Sequence, residues 1–107
     1  MNGIELIAAE RERQLKSEGW TAEHDDAHDN GELVMAARCY ATEPHNRNCH
    51  TYSQTIGIRD EKVSVPVLWP WSWEWWKPKD RISDLVRAGA LIAAEIDRLQ
   101  RSTNVTD

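Results

Sequence analysis

The sequence predicts a mainly α-helical fold, a small three-helix domain with a minor β-hairpin. Three observations predict it. Apolar residues recur at three- and four-residue spacing in three stretches, 4–18, 33–42 and 81–101. Two short apolar runs, Ile56-Gly57-Ile58 and Val63-Ser64-Val65, flank a charged four-residue turn. Between hairpin and last helix, five of the six tryptophans fall within residues 69–76 of a chain without phenylalanine. Each indole buries about 150–250 Å², so this stretch either fills much of the core or forms a large apolar surface.

The first helix is expected over 4–18. Ile4, Ile7, Ala8 and Leu15 fall near one face, and Glu12 with Lys16 forms an i, i+4 pair in the favourable order. Gly19 ends it in the left-handed conformation that glycine adopts without a clash, and Trp20 folds back onto its last turn. Residues 21–32, rich in Asp, Glu and His, read as a loop leading into the second helix, with Asp29 and Glu32 as a capping pair. Leu33, Val34, Ala37, Tyr40 and Ala41 carry that helix to about residue 42, and Pro44 stops it. Residues 43–66 read as an insertion: a polar loop to 55, then the hairpin, its second strand limited to an edge by Pro66.

Around Pro70 the tryptophan stretch is expected to run extended. Ser72 caps one short turn through Trp76, and Pro78 closes it. Asp80 is the expected N-cap of the longest helix, 81–101. Ile82, Leu85, Val86, Gly89, Ile92, Ala93, Ile96 and Leu99 form its expected core stripe, with Gly89 admitting a Trp ring or another helix. Residues 102–107 read as a flexible tail.

The whole chain, 1–107, is expected to be a single helical domain. A net charge of −5 argues against sequence-independent nucleic-acid binding, which draws on a basic stripe. It leaves room for a small anion in a locally positive pocket. No apolar run reaches the length of a membrane span, and the start lacks a basic-then-apolar leader. With two cysteines and no secretion signal, the expectation is a cytoplasmic protein with reduced thiols.

Several groups carry candidate chemistry. His24, His28 and Glu32 would share a helical face with metal-ligand spacing, but Asn30 and Gly31 interrupt it; the competing reading is an acidic approach to a helix N-terminus. Cys39, His45, Cys49 and His50 are zinc-type ligands without a paired-cysteine motif. No spacing singles out a nucleophile–base pair, and no phosphate-cradling glycine loop occurs. The tryptophans read in two ways. As core, Trp69, Trp71 and Trp73 alternate inward with Trp75 and Trp76 on the flanks. As a ligand site, Trp20, Trp69, Trp71 and Trp73 stack on a flat ligand while Lys77, Lys79 and Arg81 neutralise its charge.

Leu68-Trp69-Pro70-Trp71, then Lys77 and Asp80-Arg81, resembles the closing motif of the ryanodine-receptor repeat domain. Lys16 and Gly19-Trp20 resemble that family's Lys…Gly-Trp element. The family's His-Glu-x-Trp pattern in the first helix is absent. The run Glu10–Gln14, the run Glu18–Thr21 and the helix segment Asp84–Ile92 are similar to small phage and prophage proteins. The first resemblance implies a non-catalytic helical module that binds a ligand or partner, a nucleotide among them; no cofactor is expected. Two alternatives stand beside it. One is a MazG-type metal-dependent nucleotide pyrophosphohydrolase, although its Glu-Glu-x-x-Glu run is missing and, of the acids Asp84, Glu95 and Asp97, Asp84 and Glu95 are about three turns apart rather than adjacent. The other is a subunit that docks a protein partner, or another copy of itself, through the tryptophan patch.

Overall fold

A computed structural model of the chain describes residues 1–42, 53–58 and 61–104. It is mainly helical. α1 spans Gly3–Ser17, α2 Ala22–Asp26, α3 Glu32–Thr42 and α4 Arg81–Asn104. A hairpin pairs β1, Ser53–Ile58, with β2, Glu61–Pro66, antiparallel. A 3-10 turn covers Trp73–Trp75. α4 is the spine, and α1, α2 and α3 all pack against it.

Local chemistry sets the ends of α1. The Asn2 side chain accepts from the Glu5 N–H at 2.9 Å, and Glu5 returns a bond to the Asn2 N–H at 3.0 Å. This reciprocal box satisfies two of the donors that a helix start leaves open. At the other end Gly19 takes φ +69°, as its position predicts, and the Trp20 N–H donates to the Gln14 carbonyl.

The buried face of α1 differs from the expected one. Ile4 and Leu15 are exposed, and Gln14 is fully buried. Ile7 does pack inward, over Gly89 of α4. A methyl group built on Gly89 would lie 2.6 Å from Ile7 Cδ1. Gly89 therefore admits another helix, one of the two occupants its position suggested.

Residues 21–32 are more than a loop. Thr21 accepts from the His24 N–H and starts α2. Asp29 does not cap α3; the Glu32 carboxylate instead takes the Asn30 N–H across Gly31, which sits at φ +83°. The hairpin runs as expected but longer. β1 begins at Ser53, inside the predicted loop, and Ile56 pairs with Val63. The predicted stop at Pro44 and the turn residues Arg59 and Asp60 lie outside the described residues.

Asp80 caps α4 through the Ser83 N–H at 2.8 Å, and the helix continues past residue 101 into the predicted tail. Its inward face is the largest departure. Ile82, Leu85, Ile92, Ile96 and Leu99, expected in the core, are exposed. Asp84, Ala88, Ala90, Leu91, Ala94 and Glu95 are buried instead. The bulk comes from elsewhere: Leu33, Tyr40, Val65 and Trp69 occupy the core beside these alanines, with Trp20, Trp71, Trp73 and Trp76 against its edge. Large indoles fill the volume, so α4 approaches with small side chains.

Leu33 is fully buried at the start of α3. Leu33→Ala should lower unfolding free energy by about 2–5 kcal/mol in chemical denaturation, as cavity-forming substitutions do.

Candidate functional site, an aromatic cavity

The tryptophan segment is pinned at both ends. The Trp69 N–H donates to the Pro66 carbonyl, and the Trp69 indole N–H donates to the Ser72 carbonyl at 3.0 Å. The Trp75 N–H donates to the Ser72 carbonyl and closes the 3-10 turn. Ser72 thus caps this turn through its backbone; its hydroxyl makes no capping bond. Beyond Pro78, the Lys79 N–H donates to the buried Asp84 carboxylate at 2.7 Å. Arg81 donates to the Ala41 carbonyl at 2.7 Å, at the open C-terminal end of α3.

Tyr40 fastens the middle of the segment. Its hydroxyl donates to the Trp75 carbonyl at 3.3 Å and accepts from the Lys77 N–H at 3.2 Å. The Arg87 guanidinium also donates to it at 3.1 Å, and to the Lys77 carbonyl at 3.0 Å. Arg87 lies 5.0 Å over the Tyr40 ring as well.

These contacts leave a cavity of about 510 Å³. Arg13 and Glu18 line it from the end of α1, and Trp20, His24 and His28 from around α2. Tyr40 lines it from α3, and Arg87 and Leu91 from α4. The tryptophan segment adds Trp69, Trp71, Ser72, Trp75 and Lys77. The rings form a continuous wall. Trp20 stacks on His24 at 5.5 Å with planes 2° apart, His24 meets His28 edge-on at 4.8 Å, and His28 leans on Trp71 at 5.2 Å. Trp71 then meets Trp69 at 5.4 Å, and Trp69 meets Tyr40 at 5.5 Å, both edge-on.

Of the residues predicted for a ligand site, Trp20, Trp69, Trp71 and Lys77 meet here. Trp73 packs against the core edge, while Lys79 and Arg81 stand at the start of α4; none of the three lines the cavity. Arg81 is turned to α3 by its bond to Ala41.

Sequence reasoning missed Arg13, Tyr40 and Arg87 as a group, and did not single out Trp75 within the tryptophan stretch. Tyr40 counted only toward helical periodicity and Trp75 as a flank. The available signal was Arg87, a long cation on the same helical face as Leu91 and Ala88. His24, His28 and Glu32 have metal-ligand spacing in the sequence, with an acidic approach to α3 as the competing reading. In the fold His28 Nδ1 pairs with Glu32 at 3.1 Å and His24 Nδ1 with Asp25 at 3.1 Å. Among the described residues, no group of three or more His, Cys, Asp or Glu side chains is placed to hold a metal ion. Cys39 is buried as a small core residue, and His45, Cys49 and His50 lie outside the described residues.

The charges on the cavity rim are organised by Glu10. Its carboxylate takes the Nε and Nη2 edge of the Arg13 guanidinium, at 2.7 and 2.9 Å, and the Gln14 amide at 3.2 Å, with Arg87 3.9 Å away. Burial pushes this carboxyl up, but the bonds from Arg13 and Gln14 and the charges of Arg13 and Arg87 outweigh it and hold it below its usual 4.5. Glu18 takes the remaining side of Arg13 at 3.0 Å. Lys77 is held less tightly, with its ammonium 5.7 Å over the Trp75 ring.

Comparison of the chain with protein-family models, with characterised proteins and with solved structures gives no match.

Two outcomes test this geometry. Tyr40→Phe strips the Lys77 N–H and the Trp75 carbonyl of their partner, so it should cost about 1–3 kcal/mol of stability and brighten or red-shift the tryptophan emission. For Glu10, the folded value is depressed, so its stabilisation is complete above pH 4.5 and fades as pH falls through the lower folded value. Glu10→Gln should remove that part of the acid dependence in a pH series of thermal melts.

Proposed function

We propose that the aromatic cavity binds a small flat anion, a nucleotide above all, and that it binds without converting it. The observation that carries this reading is the pairing of indole walls with Lys77 and Arg87 on one cavity. Indole faces stack on any base at about 1–3 kcal/mol each, and a guanidinium and an ammonium lining one cavity suit a phosphate. One more feature supports it. The Trp71 indole N–H is buried, meets no acceptor among the described residues, and belongs to a ring of the cavity wall. A ligand acceptor would satisfy it.

The acids bear on catalysis. A pyrophosphohydrolase of the MazG type presents clustered carboxylates to magnesium. Here Glu18 and Glu10 hold Arg13, Glu95 holds Arg98, and Asp84 takes the Lys79 N–H. Each is already engaged within its own chain, which favours binding over hydrolysis. The resemblance to the ryanodine-receptor repeat points the same way, and the similarity to phage and prophage proteins suggests the origin of a cytoplasmic module. No helix among the described residues is long and apolar enough to cross a membrane.

Trp75 is 55 % exposed and gives the core only its carbonyl, and the Lys77 side chain is exposed, so both can be truncated without unfolding the chain. Intrinsic fluorescence should be titrated with nucleoside mono-, di- and triphosphates and cyclic dinucleotides, with a nucleoside and inorganic phosphate as separate arms. Trp75→Ala and Lys77→Ala should each weaken the best ligand by about 5- to 100-fold, the equivalent of one lost stack or one lost phosphate contact. A folded wild-type protein that responds to none of them sinks the proposal. Magnesium-dependent pyrophosphate release would replace it with the enzyme.

A further inference from the structure

The exposed aliphatic residues of α4 are not scattered. Ile82, Leu85, Ile92, Ile96 and Leu99 are each between 42 % and 66 % exposed. With Gly89 they follow a strict three–four spacing from 82 to 99, the period of a two-stranded coiled coil. α4 has its own core on another face, built on Asp84, Ala88, Leu91 and Glu95. At 3.6 residues per turn, Leu91 and Ile96 point about 140° apart. Apart from Gly89, which meets Ile7 of α1, the outward stripe is therefore surplus to the core of the described residues.

We propose that this stripe is a dimer seam, and that α4 pairs antiparallel with α4 of a second copy of this chain. Three features choose that occupant. First, the stripe is self-complementary about the midpoint between Ala90 and Leu91. An antiparallel partner sets Ile82 against Leu99 and Leu85 against Ile96, and lays Ile92 over the layer where Gly89 carries no side chain and Ile7 stands in for one. A parallel partner would put two Gly89 layers together. Second, the charged residues of α4 nearest the core are already satisfied within the chain: Asp84 by the Lys79 N–H, Arg87 by Tyr40, Glu95 by Arg98, Arg101 by Asp26. Closing the seam strips none of them of a partner. Third, ten half-exposed aliphatic side chains from two copies offer on the order of 1,000 Å² in total, the lower bound for a specific interface. The opposed helix dipoles favour the antiparallel sense. The cavity, reached from Arg87 and Leu91, stays open in such a dimer.

Sedimentation of the whole chain decides the matter. A dimer should form at micromolar concentration, with twice the 12.3 kDa chain mass. Ile92→Glu and Ile96→Glu should each give a monomer of unchanged helicity and unchanged response to the cavity's ligands. A wild-type monomer at high micromolar concentration overturns the proposal and assigns the stripe to another partner. So does a dimer that survives both substitutions. The orientation is read by oxidising a mixture of Leu85→Cys and Ile96→Cys chains, with Cys49 replaced by serine. The antiparallel seam joins residue 85 to residue 96; a disulfide of residue 85 with its own copy overturns that sense. These readouts do not depend on the ligand, so the seam and the cavity stand or fall separately.

Discussion

One phenol hydroxyl ties the tryptophan segment to the helices. Tyr40 on α3 meets the Trp75 carbonyl, the Lys77 N–H and the Arg87 guanidinium on α4 within 3.3 Å. The segment between Pro70 and Pro78 has little repetitive structure and few backbone bonds of its own. Without partners, its N–H and carbonyl groups would be buried at a cost comparable to a lost hydrogen bond each. Tyr40 supplies two of them at once, and Arg87 supplies the Lys77 carbonyl. The indoles can then lean on one another and on the core because their backbone is already satisfied.

The ionic contacts work in the same direction. Asp25 is fully buried and held by Arg11 at 2.7 Å, with His24 on its other oxygen. Arg101 reaches back from the end of α4 to Asp26. These pairs fix a five-residue helix that is too short to persist alone. α2 in turn presents His24 beside Trp20. A buried ion pair contributes little net stability compared with well-packed apolar groups, so the gain here is placement. Two aromatic rings of the cavity wall stand where they do because a carboxylate beneath them is paired.

Much of this was legible. The three long helices, the hairpin, the glycine stop at residue 19 and the Asp80 cap follow from periodicity and turn chemistry, which act over a few residues. The buried face of α4 was not legible. Periodicity identifies a stripe of large aliphatics and assigns it to the core, on the premise that a helix has one apolar face. α4 has two. Its core face is alanine-rich because the volume beside it is taken by indoles, a fact about another segment. For the same reason the site was half legible. Trp20, Trp69, Trp71 and Lys77 are conspicuous as residue types. Arg13, Tyr40 and Arg87 reach the cavity from helices whose mutual placement no local pattern encodes. Arg81 was the expected arginine of the site, but the Ala41 carbonyl claims it.

A helix with two apolar faces constrains what can change. On the inner face of α4, Ala88, Ala90 and Ala94 are fixed by the indoles and helices they meet, and a larger side chain there would force them apart. On the outer face no core contact among the described residues sets the size of Ile92, Ile96 or Leu99. Leucine or isoleucine in place of a charge at those positions raises the tendency to associate and adds nothing to a single chain's core. Gly89 lies between the two regimes. Its missing side chain is where Ile7 of α1 enters, so α1 is locked to α4 at the layer that divides the stripe. The inner face thereby shapes the cavity, and the outer face is free to answer to a different requirement.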